Sequence, residues 1–464
     1  MDFSKDLFKN NHYAILGLGK NGIAASQRLL QMGATIQVWD DQPKARQQIP
    51  EKLKPHLAPF KNLKNFNALI LSPGIPHFLP KPHPVAELAR MNAIPILSDA
   101  EILYQAIKKS GSQARFVAIT GTNGKSTTTV LLNHILTEAK IPSVAGGNLG
   151  PASLSLPYLE NDGVYILEMS SYMLERLSSF KADIACLLNI TPDHIERHGD
   201  MKGYVQAKYH IFDHQNQQDM AVIGIEDDYC KSIAKRLVQN DIPVKKISGK
   251  KDINADFWID QHLLQDKKGI IADLNQARLL PGQHNAQNAA AATAMALALG
   301  VARQQIAESL NSFNGLAHRQ RPVATIDSVT FINDSKATNA DATSKALTCY
   351  NKIVWIAGGL AKVKGIDDLA PYFSKIKFAL LIGKDAPLLA KTLDKYHVHY
   401  QIVHTLDQAV PLAFAFAKQH HIHTVILSPA CASFDQFDSF EERGNVFIQL
   451  VKQLETSFRQ TLND

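Results

Sequence analysis

The run Thr120-Gly121-Thr122-Asn123-Gly124-Lys125-Ser126-Thr127 follows the apolar residues 116–119 and precedes a helix-compatible stretch, 128–139. Strand, glycine turn and helix start in that order make a phosphate cradle. Backbone N–H groups of the turn and of the helix N-terminus converge on phosphate oxygens, while Lys125 can reach a terminal phosphate and Ser126 a magnesium ion. The spacing departs from the ordinary Walker A loop, because only Thr122 and Asn123 separate Gly121 from Gly124. A ligand-free Gly/Thr-rich surface turn is the competing reading; the strand before it and the helix after it argue against that. The sequence predicts a protein that handles ATP.

A metal site is expected beside this loop. Gly146-Gly147-Asn148-Leu149-Gly150, Leu167-Glu168-Met169-Ser170-Ser171-Tyr172 and Asn189-Ile190-Thr191-Pro192-Asp193-His194 each follow or end a β-rich run. Glu168 and His194 thereby lie where strand ends converge, and a carboxylate with a neutral imidazole can hold Mg²⁺ against the charge of a transferred phosphoryl group. A lone buried Glu or His is usually a satisfied structural residue, but two at consecutive strand ends favour a metal.

Nearer the N-terminus, Gly17-Leu18-Gly19-Lys20-Asn21-Gly22 follows a strand, and Asp40 follows the next one. This is the outline of the dinucleotide fingerprint. By itself it would suit a nicotinamide or flavin enzyme, or glycines required only for close packing of strand and helix. A UDP-sugar reading reconciles it with the ATP loop, the glycine turn taking a diphosphate and Asp40 the far end of the nucleotide.

The elements that must position these groups alternate between short β-rich runs and helical segments. The runs are 12–16, 37–39, 68–71, 116–119, 164–167 and 184–189, resuming after Arg321 with 353–357, 379–382 and 424–427. This is α/β architecture with parallel strands entering active-site loops. Residues 254–280 are more polar and read as a peripheral β excursion of the middle region. The expected domains are 1–103, 104–315 and 316–464: Rossmann-like, P-loop-type ATPase with a parallel sheet, and Rossmann-like again. A chain of 464 residues with 45% hydrophobic content can build a core in each.

The formal charge of +6 comes without a basic run, so anionic small molecules are expected rather than nucleic acid. Cys186, Cys230, Cys349 and Cys431 lack metal-like spacing and suggest reduced thiols in a cytoplasmic protein. The polar N-terminus is not a secretory signal. The longest apolar stretch, the alanine-rich 289–301, is too short to cross a bilayer and reads as a packed helix.

The short loop Thr120 to Thr127 resembles that of the Mur ligase superfamily, amide-forming enzymes that extend peptidoglycan precursors and folate polyglutamates. The resemblance covers nearly the whole chain. It includes Leu71-Ser72-Pro73-Gly74-Ile75, Leu167-Glu168-Met169-Ser170-Ser171, Gly282-Gln283-His284-Asn285-Ala286-Gln287-Asn288, Asn333-Asp334-Ser335-Lys336-Ala337-Thr338-Asn339, and the block from Leu427-Ser428-Pro429-Ala430-Cys431 to Ala432-Ser433-Phe434-Asp435-Gln436-Phe437. It implies ATP-driven joining of D-glutamate to UDP-N-acetylmuramoyl-L-alanine through an acyl phosphate, by a monomer that does not insert into membranes.

Carried over residue by residue, the resemblance gives Gly121, Thr122, Asn123, Gly124, Lys125, Ser126 and Thr127 to the ATP phosphates. Asn285, Asn288, His318, Arg319 and Asp334 go to its adenine and ribose. Two Mg²⁺ ions would be held by Ser126, Glu168, His194 and a carbamate formed on Lys208 from CO₂; without the resemblance Lys208 reads as a solvated helix residue. Lys125, Lys208, His194 and Lys336 would be the catalytic set. The UDP precursor would meet Gly19, Lys20, Asn21, Asp40, Asp41, Ser72, Gly74, Asn148 and His194. D-Glutamate would meet Thr338, Lys362, Ser433 and Phe440, with Lys364 a rival for the cation role. Asp438-Ser439 stands where the resemblance leads one to expect Lys-Asn, which leaves open the electrostatics near the amino-acid pocket.

Three rivals are weighed. One is a sibling ligase adding L-alanine, a diamino acid or a dipeptide; a diamino-acid enzyme should carry an Asn-Pro-Arg type signature in the third domain, and none is present. An oxidoreductase rests on the Gly17 turn alone. A nucleotide-sensing module would have lost the metal and lysine set that this chain keeps.

Overall fold

Parallel strands need helical crossovers, and the chain alternates the two throughout. The computed structural model describes residues 2–277, 279, 280, 282–361 and 365–463. It divides into two compact units, Met1–Arg278 with Gln283–Phe313, and Leu279–Gly282 with Asn314–Asp464.

The first unit holds two sheets. Strands β1 (His12–Leu16), β2 (Thr35–Trp39), β3 (Ala68–Leu71) and β4 (Ile96–Leu97) form a parallel sheet in the order β2-β1-β3-β4. The β1 end therefore lies between the ends of β2 and β3, which brings the Gly17 turn, Asp40 and Ser72 together. The second sheet comprises β5 (Arg115–Thr120), β6 (Ser143–Gly147), β7 (Val164–Glu168), β8 (Ile184–Leu187), β9 (Met220–Gly224), β10 (Val244–Ile247), β11 (Phe257–Asp260), β12 (Leu263–Asp266) and β13 (Gly269–Asp273). Its order is β13-β12-β11-β10-β9-β8-β5-β7-β6. Strand order reverses around β5, and ligands of open α/β sheets bind at such switch points. Only β11 to β13 pair antiparallel, the peripheral excursion expected from composition. The helix Gln283–Ala298 packs on Lys125–Glu138, and its alanines 289–292 are fully buried. Small side chains let two helices approach closely, so this apolar stretch is core rather than membrane span.

The second unit has β14 (Arg321–Ile326), β15 (Val329–Asn333), β16 (Ile353–Gly358), β17 (Ile376–Ile382), β18 (Tyr400–His404) and β19 (Thr424–Leu427) in the order β14-β15-β19-β16-β17-β18. Only β14 is antiparallel. Among the described residues, no helix is long and apolar enough to cross a membrane.

Between the two sheets of the first unit, the helix Asp99–Lys109 spans the boundary expected at residue 103. Its fully buried Glu101 accepts hydrogen bonds from the N–H groups of Ser178, Ser179 and Phe180 at 2.9–3.0 Å, from the Ser179 hydroxyl at 2.6 Å and from the Gln105 amide at 2.7 Å. Removing that carboxylate leaves three backbone donors without a partner. Glu101→Ala is expected to cost about 3 kcal/mol of unfolding free energy, measured by urea titration of the whole protein.

Candidate active site

β5 delivers Thr120 to the rim of the sheet, where Gly121 (φ 153°) and Gly124 (φ 87°) turn the chain into the helix Lys125–Glu138. Gly124 caps that helix without any side-chain hydrogen bond, so the first-turn N–H groups face the loop concavity. A Cβ on Gly124 would lie 2.2 Å from Asn288 Oδ1, which makes glycine obligatory there. Asn189 at the end of β8 braces the loop: its Oδ1 accepts from Asn123 N–H at 2.9 Å, and its Nδ2 donates to Asn123 O at 3.2 Å. Thr122 Oγ1 lies 3.2 Å from the Tyr204 hydroxyl. Lys125 Nζ donates to the carbonyls of Gly121 and Thr122, each at 2.9 Å. Asn288 is almost fully buried; its Oδ1 accepts from Thr128 and its Nδ2 donates to Asn285, so it buttresses the phosphate loop from behind.

Beside the loop, Glu168 ends β7 almost fully buried. Its Oε1 accepts from Asn148 Nδ2 at 2.7 Å, and its Oε2 has no partner. A buried carboxylate oxygen without a donor is costly unless a cation meets it, so the donor set fits Mg²⁺. Lys208, buried in the helix Met201–Tyr209, donates to Gly121 O at 2.9 Å and to Thr120 Oγ1 at 3.4 Å. Burial first, and Lys125 second, hold its amine well below the usual lysine range. Ser126 is buried in the first turn of the loop helix.

His194 follows β8 in left-handed conformation (φ 53°), its ring 5.0 Å from that of Tyr172. Burial lowers its pKa despite Asp193 and Glu196, which favours neutral imidazole. Among the described residues, no three His, Cys, Asp or Glu side chains cluster to hold an ion. Mg²⁺ does not require such a cage, because it is commonly bound by one or two carboxylates together with phosphate oxygens.

At the first sheet, a Cβ on Gly17 would lie 2.4 Å from Ser72 Oγ, and one on Gly22 only 1.8 Å from Gly17 O. Both glycines are fixed by close approach, whereas Gly19 and Lys20 are exposed at the open start of the helix Lys20–Gln31. Asp40 accepts from Leu18 N–H at 2.7 Å and Gln42 N–H at 2.9 Å, and so holds the glycine turn. Asp41 pairs with His83 at 2.8 Å, which lowers its pKa. Asn21 Nδ2 donates to Asp99, and Asn148 carries its amide to Glu168. Gly74 is exposed and Ser72 half-buried.

In the second unit the loops after β15 and β19 are tied together. Lys336 N–H donates to His318 O at 2.9 Å, Gln320 N–H to Asp334 Oδ1 at 3.1 Å, Ser428 Oγ to Asp334 Oδ2 at 2.7 Å, and Ala430 N–H to Ala337 O at 3.0 Å. His318, Arg319, Asp334, Lys336 and Thr338 are thereby gathered near the C-terminal ends of β15 and β19. Phe440 joins them, its carbonyl accepting from Ser335 Oγ and its ring 5.5 Å from Lys336 Nζ. Ser433 is buried, its carbonyl accepting from Gln436 and Phe437 N–H. Lys362 and Lys364 lie outside the described residues. The unexpected Asp438-Ser439 opens the last helix: Ser439 Oγ accepts from Glu442 N–H at 3.1 Å, and Asp438 N–H donates to Glu442 Oε2 at 2.7 Å.

Sequence reasoning missed Asn189 as the loop brace, though it lay within a quoted block. It also missed Arg443, whose guanidinium donates to Ser335 O and Oγ and to the carbonyls of Gly358 and Cys431. No local signal marks an arginine in a helix as the tie between three loops.

Family comparisons agree with this geometry. The chain matches the MurD-like N-terminal domain of Mur ligases over residues 11–96, the Mur ligase middle domain over 119–296 and the Mur ligase glutamate ligase domain over 318–431. The chain belongs to the Mur ligase family of ATP-dependent amide-bond ligases, which use ATP and Mg²⁺. It is 46% identical to the UDP-N-acetylmuramoylalanine–D-glutamate ligase of Paramagnetospirillum magneticum over 97% of this chain and 98% of that protein. It is 42% identical to the enzyme of the same name from Caulobacter vibrioides, over 96% and 97%. Among solved structures, UDP-N-acetylmuramate-alanine ligase of Thermotoga maritima superposes with TM-score 0.60 at 17% identity, covering 96% of this chain and 99% of that one. The chain thus has the three-domain α/β fold: a Rossmann-like N-terminal domain, a central P-loop-type ATPase domain with a largely parallel sheet, and a Rossmann-like C-terminal domain.

Burial pushes the Asp334 carboxyl up to about 7. Between roughly pH 4 and 7 the folded chain thus keeps a proton that the unfolded chain releases, so this group's contribution to stability falls as pH rises, by up to about 1.4 kcal/mol per pH unit. Asp334→Asn cannot ionise. Its unfolding free energy relative to the parent is expected to rise from pH 5 to pH 7.5, read by urea titration at the two pH values.

Proposed function

We propose that this chain joins D-glutamate to UDP-N-acetylmuramoyl-L-alanine, converting ATP to ADP and phosphate, as a cytoplasmic step of peptidoglycan precursor synthesis. One observation carries the reading: a glycine phosphate loop leading into a helix without a side-chain cap, a buried carboxylate oxygen lacking a donor and a buried lysine amine meet at the ends of β5 and β7. The substrates are those named for the full-length relatives. Domain boundaries belong near residues 103 and 315, and the enzyme acts as a monomer.

A carboxylate is a poor acyl donor because oxide would have to leave. In the proposed reaction a carboxylate oxygen of the alanyl group attacks the γ-phosphorus, the bridging P–O bond breaks, and its electron pair departs with ADP. The loop N–H groups hold the phosphates in line, and Lys125 turns from its loop carbonyls to the γ-phosphate. The amine of D-glutamate then attacks the acyl phosphate carbon. Phosphate leaves with the C–O electron pair, the nitrogen gives up its proton to it, and the amide remains. Mg²⁺, when bound, neutralises phosphate charge.

Ser126, Glu168, His194 and a carbamate on Lys208 would hold two ions. Burial favours the carbamate in a specific way. A neutral Lys208 amine has a free lone pair for the carbon of CO₂; with loss of one proton it becomes an anionic carboxylate on a long stem, where an ammonium would repel a cation. The precursor would lie along Gly19, Lys20, Asn21, Asp40, Asp41, Ser72, Gly74, Asn148 and His194, with Asp40 and Asn148 acting through the Gly17 turn and Glu168. Asn285, Asn288, His318, Arg319 and Asp334 serve the nucleoside end of ATP. Thr338, Ser433, Phe440 and one of Lys362 or Lys364 take D-glutamate, and Lys336 stands by the reacting groups.

Phosphate release with the precursor across a panel of amino acids, both glutamate enantiomers included, is expected only with the D form; release with a diamino acid would overturn the specificity. Lys208→Ala should lower kcat about a hundredfold or more, with partial rescue by short carboxylates. Full activity in that variant would remove the carbamate from the mechanism.

A further inference from the structure

Two arginines that the reaction scheme leaves unused grip one loop of the N-terminal sheet. Arg176 is 1% exposed and stands just beyond the short helix Ser171–Leu174 that follows Glu168. Its guanidinium donates to three backbone carbonyls after β3: Leu71 at 2.8 Å, Ser72 at 2.9 Å and Ile75 at 2.6 Å. Its remaining contacts are to His77 Nδ1 at 3.4 Å, and its own carbonyl accepts from Ser98 N–H. Arg197 comes three residues after His194, stacks on the Tyr172 ring at 4.4 Å and donates to Gly74 O at 3.1 Å and Ile75 O at 3.5 Å. The carbonyls of Leu71, Ser72, Gly74 and Ile75 thus accept from side chains of the central domain, while the Ser72 N–H donates to Leu16 O within the N-terminal sheet. The two segments also approach closely at Gly199, where a Cβ would come within 3.2 Å of Leu79.

A planar guanidinium with five donors can fix several carbonyls in one geometry, which an ammonium cannot. Each arginine also trails a residue of the metal set by a few positions, Arg176 after Glu168 and Arg197 after His194. Loop 71–75 carries Ser72, whose hydroxyl donates to Gly17 O at 3.0 Å and so touches the glycine turn. One rigid path therefore joins the glycine turn, loop 71–75 and the strand ends bearing Glu168 and His194.

We propose that Arg176 and Arg197 are positioning residues that hold the precursor-binding loop in register with the phosphoryl-transfer centre, so that precursor binding depends on them while ATP binding does not. This rests on the ligase reading above. The arginines need not touch the precursor; they set the loop that does, and the order they impose is present before the substrate arrives.

Arg197 is half-buried, so Arg197→Ala should fold. Steady-state kinetics are expected to show a five- to tenfold rise in KM for UDP-N-acetylmuramoyl-L-alanine, with the KM for ATP and D-glutamate within about twofold of the parent. Arg197→Lys should recover part of the loss. Arg176→Lys is expected to raise the same KM, and the double variant should fall short of the product of the two effects because both guanidinia hold the Ile75 carbonyl. Unchanged precursor KM in Arg197→Ala, or an equal rise in the KM for ATP, would overturn the proposal. Should Arg176→Lys not fold, Arg197→Ala alone decides. A parent enzyme that fails to turn over this precursor would instead defeat the ligase reading.

Discussion

A backbone that leaves a parallel sheet loses its ladder partners at once, and in a sheet covered on both faces water cannot replace them. The loops at the strand ends of this protein answer that constraint with side chains from elsewhere. Glu101 collects the N–H groups of 178–180, Asn189 both bonds of Asn123, Arg176 the carbonyls of 71–75, and Arg443 those of 335, 358 and 431. The Lys125 helix starts without a side-chain cap, at Gly124 in left-handed conformation. A helix N-terminus that follows a glycine turn and carries no side-chain cap suits an anion.

Burial then sorts the ionisable groups by what each can do about it. An arginine remains charged even when burial draws its pKa down to about 9, as at Arg176, and it is stabilised by several carbonyl dipoles at once. A lysine gives up its proton more readily. Lys208, enclosed between Gly121 O and the Tyr204 ring, has its pKa held well below the usual lysine range, which favours the amine form with its nucleophilic lone pair. Asp334 is pushed the other way, and the Ser428 hydroxyl that donates to it only partly offsets burial. The same desolvation leaves one group a cation, favours the amine form of the second and makes the third a carboxyl that holds its proton near neutrality.

Much of this was legible from local signals. Strand positions, the glycine turn after β1, the phosphate loop after β5 and the packed alanine helix follow from periodicity and turn chemistry over short windows. Glu168 could be placed at a strand end because it closes an apolar run, and His194 because it lies in the loop that follows one. Other surroundings came only with the structure. Lys208 reads as a solvated helix residue, for its neighbours Gln206 and His210 are polar, yet it is fully enclosed. For Asp40 and Asn148, expected to face the precursor, the structure shows hydrogen bonds to Leu18 N–H and Glu168. Asp438-Ser439, which left the electrostatics near the amino-acid pocket open, lies at the start of the last helix.

By itself the sequence determined the element types, the two glycine turns and the family, because those depend on residues a few positions apart. Only the tertiary structure decided which side chains close which loops. Arg176 reaches Leu71 across 105 positions, Arg443 reaches Ser335 across 108 and Thr128 meets Asn288 across 160. A hydrogen bond requires donor and acceptor within about 3 Å in space and sets no limit on their separation in the chain, so sheet order, not local pattern, selects such partners.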